Sequence, residues 1–92
     1  MTAWSVYLLR CADDTLYCGT STCVERRVAM HNGLFAGGAK YTRGRRPVTL
    51  LASVGGMSRA EALRLERAVK RLPRDRKLEA LMRHASFPHG KS

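Results

Sequence analysis

Carboxylates are scarce in this chain: seven Asp and Glu stand against seventeen Lys and Arg in ninety-two residues. A two-metal nuclease needs several carboxylates to hold its ions a few ångströms apart, and that set is missing. Asp13 and Asp14 fall at a turn, Asp75 follows Pro73, and Glu25, Glu61 and Glu79 suit helix surfaces. Any metal chemistry must therefore rest on one carboxylate. Cysteine is equally sparse. Cys11, Cys18 and Cys23 are odd in number, with neither CxxC spacing nor a neighbouring His pair, which argues against a disulfide framework and a zinc knuckle and for packing thiols in a reducing compartment. Long apolar runs are absent too. The longest, Val6-Tyr7-Leu8-Leu9, is far short of a membrane span, and Met1-Thr2-Ala3-Trp4 lacks a basic segment leading into an apolar one, so the expectation is a cytoplasmic protein with no membrane partner.

What is abundant is arginine. Thirteen of the seventeen cations are Arg, the net charge is +10, and hydrophobic residues make up 45%. A planar guanidinium matches phosphate, so nucleic acid is the expected partner. An anionic lipid surface fits less well, because no segment pairs a basic face with Trp, Phe and Leu as an interfacial helix would. At this length one core is expected, in a single domain over residues 1–86 with a tail over 87–92.

The chain divides readily into elements. Trp4 to Cys11 predicts a strand, Asp13-Asp14 a turn, and Leu16 to Thr20 a second strand, together a hairpin. Neither face of the first strand is polar, so the sheet should be covered on both sides. Thr22-x-x-Glu25 is a capping-box signature that opens a helix through Val24, Val28 and Met30 to an Asn32-Gly33 stop. Lys40 to Arg46, among four glycines, reads as a basic loop. Pro47 to Val54 predicts a third strand ended by Gly55-Gly56. Ser58-x-x-Glu61 is a second capping box, opening a helix with Ala62, Leu65, Val69 and Leu72 as its stripe. Pro73 breaks it, and a last helix carries Leu78, Leu81, Met82 and Ala85. The fold class is thus α+β, a small three-stranded antiparallel sheet flanked by helices in the order β-β-α-β-α-α.

Six positions stand out on this layout: Tyr7, Tyr17 with Gly19, Arg27 with His31, and Glu66. Hydrolysing a phosphodiester requires an activated water, positive charge on the non-bridging oxygens and help for the leaving oxygen. Glu66 is the candidate ligand for one Mg²⁺, with Mn²⁺ as the alternative, and Arg27 can clamp the phosphate. Tyr7 is a candidate base, with His31 as relay or rival, provided the surrounding cations lower its phenol. The duller readings are packing aromatics for Tyr7 and Tyr17, a solvated helix edge for Arg27 and His31, and an i, i+4 ion pair between Glu66 and Lys70.

Taken together, these residues resemble a GIY-YIG nuclease. Ser5-Val6-Tyr7 stands where the family has Gly-Ile-Tyr, and Tyr17-Cys18-Gly19 where it has Tyr-Ile-Gly. Thr20 to His31 is similar to the family's helix, and Gly38-Ala39-Lys40-Tyr41-Thr42-Arg43 and Ala62 to Lys70 continue the likeness over about residues 4 to 80, closest to the small standalone bacterial type and to the catalytic domain of the structure-specific junction endonuclease. The resemblance implies Tyr7 as general base, Tyr17 as the phenol orienting water or phosphate, Arg27 as the stabiliser of transition-state charge, His31 as the aid to the base and Glu66 as the metal ligand. It implies a metal-dependent endonuclease on branched, nicked or single-stranded DNA, with a role in repair or recombination; the alternative is a non-catalytic module for structured RNA or DNA. Lys40, Tyr41, Arg43, Arg45, Arg46 and Lys70 are the expected nucleic-acid contacts, and a partner protein can supply specificity.

Two local expectations follow. Cys23 replaces the family's usual Asp or Asn at the helix start, and sulfur caps poorly, so Thr22 should take over and start the helix one residue early. For Tyr7 and Tyr17 to share a sheet face, paired residues must have numbers of equal parity, which demands an odd loop such as Asp13-Asp14-Thr15, or a bulge.

Overall fold

In the computed structural model, which describes residues 3–86, the hairpin forms first in the chain. Strands β1 (Trp4–Arg10) and β2 (Leu16–Ser21) pair antiparallel, with Tyr7 opposite Gly19 and Leu9 opposite Tyr17. The parity requirement is met. Cys11 N–H donates to Thr15 O at 2.8 Å, leaving the odd loop Ala12-Asp13-Asp14, one residue earlier than expected. Asp14 takes a left-handed φ of 67°, the conformation that ends a three-residue hairpin loop and one that Asp tolerates.

Strand β3 (Thr49–Met57) lies on the other side of β1, giving the antiparallel order β2-β1-β3. It runs three residues beyond the expected end at Val54. Gly55 and Gly56 do not terminate it; the register shifts between the pairs Trp4/Met57 and Val6/Val54, and Gly56 at φ 77° absorbs the bulge without the penalty a side chain would bring.

Helices α1 (Val24–His31) and α2 (Lys40–Arg43) precede β3, and α3 (Arg59–Lys70) and α4 (Arg74–Ser86) follow it. The four-residue α2 makes the observed order β-β-α-α-β-α-α, so the basic segment is not wholly loop. Ser58 and Glu61 close both bonds of the α3 capping box, at 3.1 and 2.8 Å. Thr22 does not do the same for α1. Cys23 is the N-cap residue, with no side-chain cap bond, so Glu25 falls at the second helical position and the box is out of register by one. Ser21 Oγ instead organises the entry, accepting from Cys23 N–H at 2.9 Å and donating to Cys23 O at 3.0 Å. At the other end, Gly33 N–H donates to Met30 O and Leu34 N–H to Ala29 O, a Schellman stop with Gly33 at φ 87°.

Alternation along the strands divides the core in two. Val6, Leu8, Cys18 and Val54 pack with Met57, Ala62, Val69 and Leu81 under α3 and α4. Tyr7, Leu9, Cys11 and Val48 face the other way, against Val24 and Val28 of α1. Both faces are covered, as the apolar strand implied. On α4 only Leu81 of the three described stripe positions is buried; Leu78 and Met82 stay exposed, and Cys23 is an exposed thiol rather than a packing residue. The expected tail over 87–92 lies outside the described residues.

Candidate active site

The site grows from the Tyr7/Gly19 pair at the centre of the hairpin. A Cβ on Gly19 would sit 2.5 Å from the Tyr7 hydroxyl and 3.2 Å from the Tyr17 ring, so only hydrogen leaves room for both phenols on this face. Here glycine is demanded by space, since its φ is ordinary. The Tyr7 and Tyr17 ring centroids are 6.5 Å apart, and His31 packs edge-on against Tyr17 at 5.1 Å.

His31 is the last residue of α1 and only 1% exposed, inside the core rather than along its edge. Every polar atom it brings there is engaged. Its Nε2 lies 2.8 Å from Tyr7 Oη, and its Nδ1 lies 2.9 Å from Thr42 Oγ1. Thr42 spends its single proton on Ala39 O at 2.9 Å, so Thr42 Oγ1 accepts from Nδ1–H and Nε2 carries the lone pair that accepts from Tyr7. The competing tautomer has only the longer 3.3 Å approach of Ala39 N–H to Nδ1 in its favour. Burial, then the Arg27 and Arg46 charges, push the imidazole below its usual pKa and keep it neutral.

Tyr7 behaves differently from the expectation that nearby cations lower its phenol. Burial wins, reinforced by Tyr17, and the phenol is driven well above its ordinary pKa even though Arg27 lies against it and pulls the other way. A free tyrosinate is therefore unavailable near neutral pH. What the arrangement offers is a phenol whose departing proton has an acceptor already in contact.

Arg27 is half-buried one turn before His31, with a long 4.0 Å contact from its Nη1 to Met30 Sδ. Glu66 belongs to α3, which covers the opposite face of the sheet. Its Oε2 pairs with Lys70 Nζ at 3.2 Å, and Lys70 Nζ lies 5.7 Å from the Tyr17 ring centroid. The carboxylate, with burial the larger cause, pushes the Cys18 thiol up to about 12, so that sulfur is inert. Among the described residues no group of three or more His, Cys, Asp or Glu can hold a metal. Glu66 alone does not fit a closed protein cage. It does fit a hard ion that keeps most of its shell as water and phosphate, with Lys70 as an exposed and readily displaced occupant.

The basic segment splits into two kinds of cation. Arg45 is committed, donating to Asp13 Oδ2 at 3.0 Å and Tyr41 O at 2.8 Å with its guanidinium 4.0 Å from the Tyr41 centroid. Arg46 donates to His31 O at 2.6 Å and packs over Gly33. Lys40 and Arg43 are exposed. Tyr41 extends the aromatic row, 5.6 Å from Tyr17. Thr42, which orients His31, carries no mark of that role in the sequence. Its only signal was its place in the Lys40-Tyr41-Thr42-Arg43 block.

A hairpin with two phenols held over a glycine, a helix carrying Arg and His one turn apart, and a later helix with one carboxylate describe a nuclease domain. Residues 3–79 match the GIY-YIG catalytic domain, and the chain belongs to that family. It is 51% identical over 78 residues to a UPF0213 protein of Nitratidesulfovibrio vulgaris, covering 85% of this chain and 69% of that one. With a UPF0213 protein of Halobacterium salinarum it shares 51% identity, over 83% of this chain and 95% of that one. The solution structure of a UPF0213 protein from Bacillus halodurans superposes with a TM-score of 0.54 at 36% identity, covering 98% and 94% of the two chains. A protein from E. faecalis does so with 0.61 at 32%, covering 91% and 88%. No helix among the described residues is long and apolar enough to cross a membrane.

Proposed function

We propose that this protein is a divalent-metal-dependent endonuclease that hydrolyses DNA phosphodiester bonds, choosing branched, nicked or single-stranded substrates by shape. The observation that carries the reading is the Tyr7–His31–Thr42 relay. A water attacking phosphorus gives its proton to Tyr7 Oη as the Tyr7 hydroxyl proton passes to His31 Nε2, so no free tyrosinate is needed. Tyr17 orients the water or the phosphate, and Arg27 neutralises the charge that builds on its non-bridging oxygens. Glu66 is the residue that would hold the metal; such an ion, when bound, stabilises the leaving oxygen. Lys40, Tyr41, Arg43 and Lys70 meet the flanking backbone, with Arg45 and Arg46 positioning that surface. Its place is the cytoplasm, in repair or recombination, with specificity sharpened by a partner protein.

A second reading, a binding module without turnover, draws on the Lys70 ammonium seated on Glu66. Labelled branched DNA incubated with and without Mg²⁺, beside Glu66→Ala, separates the two. The nuclease reading predicts metal-dependent cutting by the wild type and loss of it in the variant. Equal cutting by both contradicts the role of Glu66, and tight binding without cutting by either favours the second reading.

A further inference from the structure

Just past the active-site helix, two large apolar side chains stand in solvent. Leu34 is 74% exposed and Phe35 50% exposed, at the head of the segment joining α1 to α2. Their position is built rather than incidental. The Schellman bonds that stop α1 place Leu34, and Arg46 holds the turn from below by donating to His31 O while its guanidinium packs against Gly33. On the far side of the segment Gly38 lies so close to α1 that a Cβ there would meet Met30 O at 2.5 Å and His31 Cα at 3.1 Å.

Between these anchors runs a groove of about 340 Å³, lined by residues 33 to 38 with Arg43 and Arg46 and by no carboxylate. Arg26 from α1 places its guanidinium 5.3 Å from the half-exposed Phe35 ring centroid, and Arg43 and Arg46 line the same groove. We infer that this groove takes one unpaired nucleobase, stacked on Phe35 and wedged by Leu34, with its phosphates on Arg26 and Arg43. Charge decides against the other apolar occupant, a second copy of this chain. Each copy carries +10, and a two-residue patch ringed by Arg offers too little burial to offset bringing those charges together. A base offers a π-face to the ring and anions to the rim, and the volume sits at the small end of ligand sites, which begin near about 300 Å³.

This inference rests on the nuclease reading and refines its substrate. Because the same residues brace the groove and His31, the base it holds flanks the phosphate presented to Tyr7. The favoured DNA has an unpaired nucleotide beside the cut, as at a flap or a single-stranded junction arm, and intact duplex is disfavoured.

Binding in EDTA, followed by fluorescence anisotropy on a flap, a single strand and a blunt duplex, tests the groove without asking for turnover. Phe35→Ala should lose about tenfold in affinity for the flap and single strand and change by less than about twofold on the duplex, the scale of one lost stacking contact. Phe35→Trp should restore the difference, which also answers any misfolding of the alanine variant. Unchanged affinities, or equal losses on all three DNAs, overturn the proposal, as does sedimentation showing a dimer that dissociates on Phe35→Ala. The two claims fail separately. Wild-type cutting in Mg²⁺ with Phe35→Ala indistinguishable in binding refutes the groove alone, whereas selective binding with no cutting under any metal refutes the nuclease reading and leaves the groove.

Discussion

The two faces of one sheet are built on opposite principles from alternate residues of the same strands. Val6, Leu8 and Cys18 turn toward α3 and α4 into a core that is apolar apart from an inert thiol. Tyr7, Leu9 and Tyr17 turn toward α1 and α2, where His31 and Thr42 are buried with their polar atoms. On the first face burial of hydrocarbon is the whole story. On the second, each buried polar group must find a partner or cost stability, and Tyr7, His31, Thr42 and Ala39 O form one chain in which each bond fixes the next. Substitutions on the two faces should therefore separate folding from chemistry.

Breaking the polar face should have the largest effect. His31→Ala removes the acceptor of the Tyr7 proton, and cleavage should fall about 10²–10⁴-fold with DNA affinity near wild type; a rate within a few fold of wild type in a stopped-time assay would dissolve the contrast between the faces. Leu8→Ala, on the apolar face, should instead cost about 2–5 kcal/mol of stability by denaturant titration while the rate per folded molecule is kept. Loss of rate without loss of stability would mean the faces are not separable.

Gly19→Ala tests the seam between them. Its methyl must push the Tyr7 hydroxyl off His31 Nε2, so cleavage should drop by about ten- to a hundredfold, the scale of a misplaced catalytic group, and an unchanged rate would show that the close approach is not needed. Thr42→Val is subtler. It leaves Nδ1 with only the Ala39 amide and favours the tautomer that cannot accept from Tyr7, so the rate should fall about tenfold and recover in Thr42→Ser. Equal rates for Thr42→Val and Thr42→Ser would remove Thr42 from the account.

The smallest effect concerns pH. His31 titrates below its ordinary value in the fold, so as pH falls the unfolded chain takes the proton first. The stability it contributes is fully present above pH about 6.5 and is lost as pH drops from there through the lowered folded value. Urea midpoints measured downward from pH 7 should therefore fall, and should fall less in His31→Ala.

Much of this contrast is legible in the sequence. Hairpin parity, both-sided burial and the Ser58 capping box are local rules, and they place Tyr7, Tyr17 and α3. What escaped depends on contacts between distant segments. Thr42 looks like any residue of a basic loop until α2 forms beneath His31, and the Thr22 box failed because a one-residue shift in where the helix enters decides which hydroxyl is in reach. The direction of the Tyr7 shift is hidden from the sequence for the same reason: counting arginines gives the sign of the field, while only packing tells how much burial opposes it.

On the proposed mechanism Tyr7 passes its proton to His31. Single-turnover cleavage of labelled flap DNA in saturating Mg²⁺ by Tyr7→Phe, which keeps the ring and removes only the hydroxyl, tests it most directly. The expected rate is at least about a hundredfold below wild type with binding unchanged; a Tyr7→Phe protein that cuts at the wild-type rate would rule the transfer out.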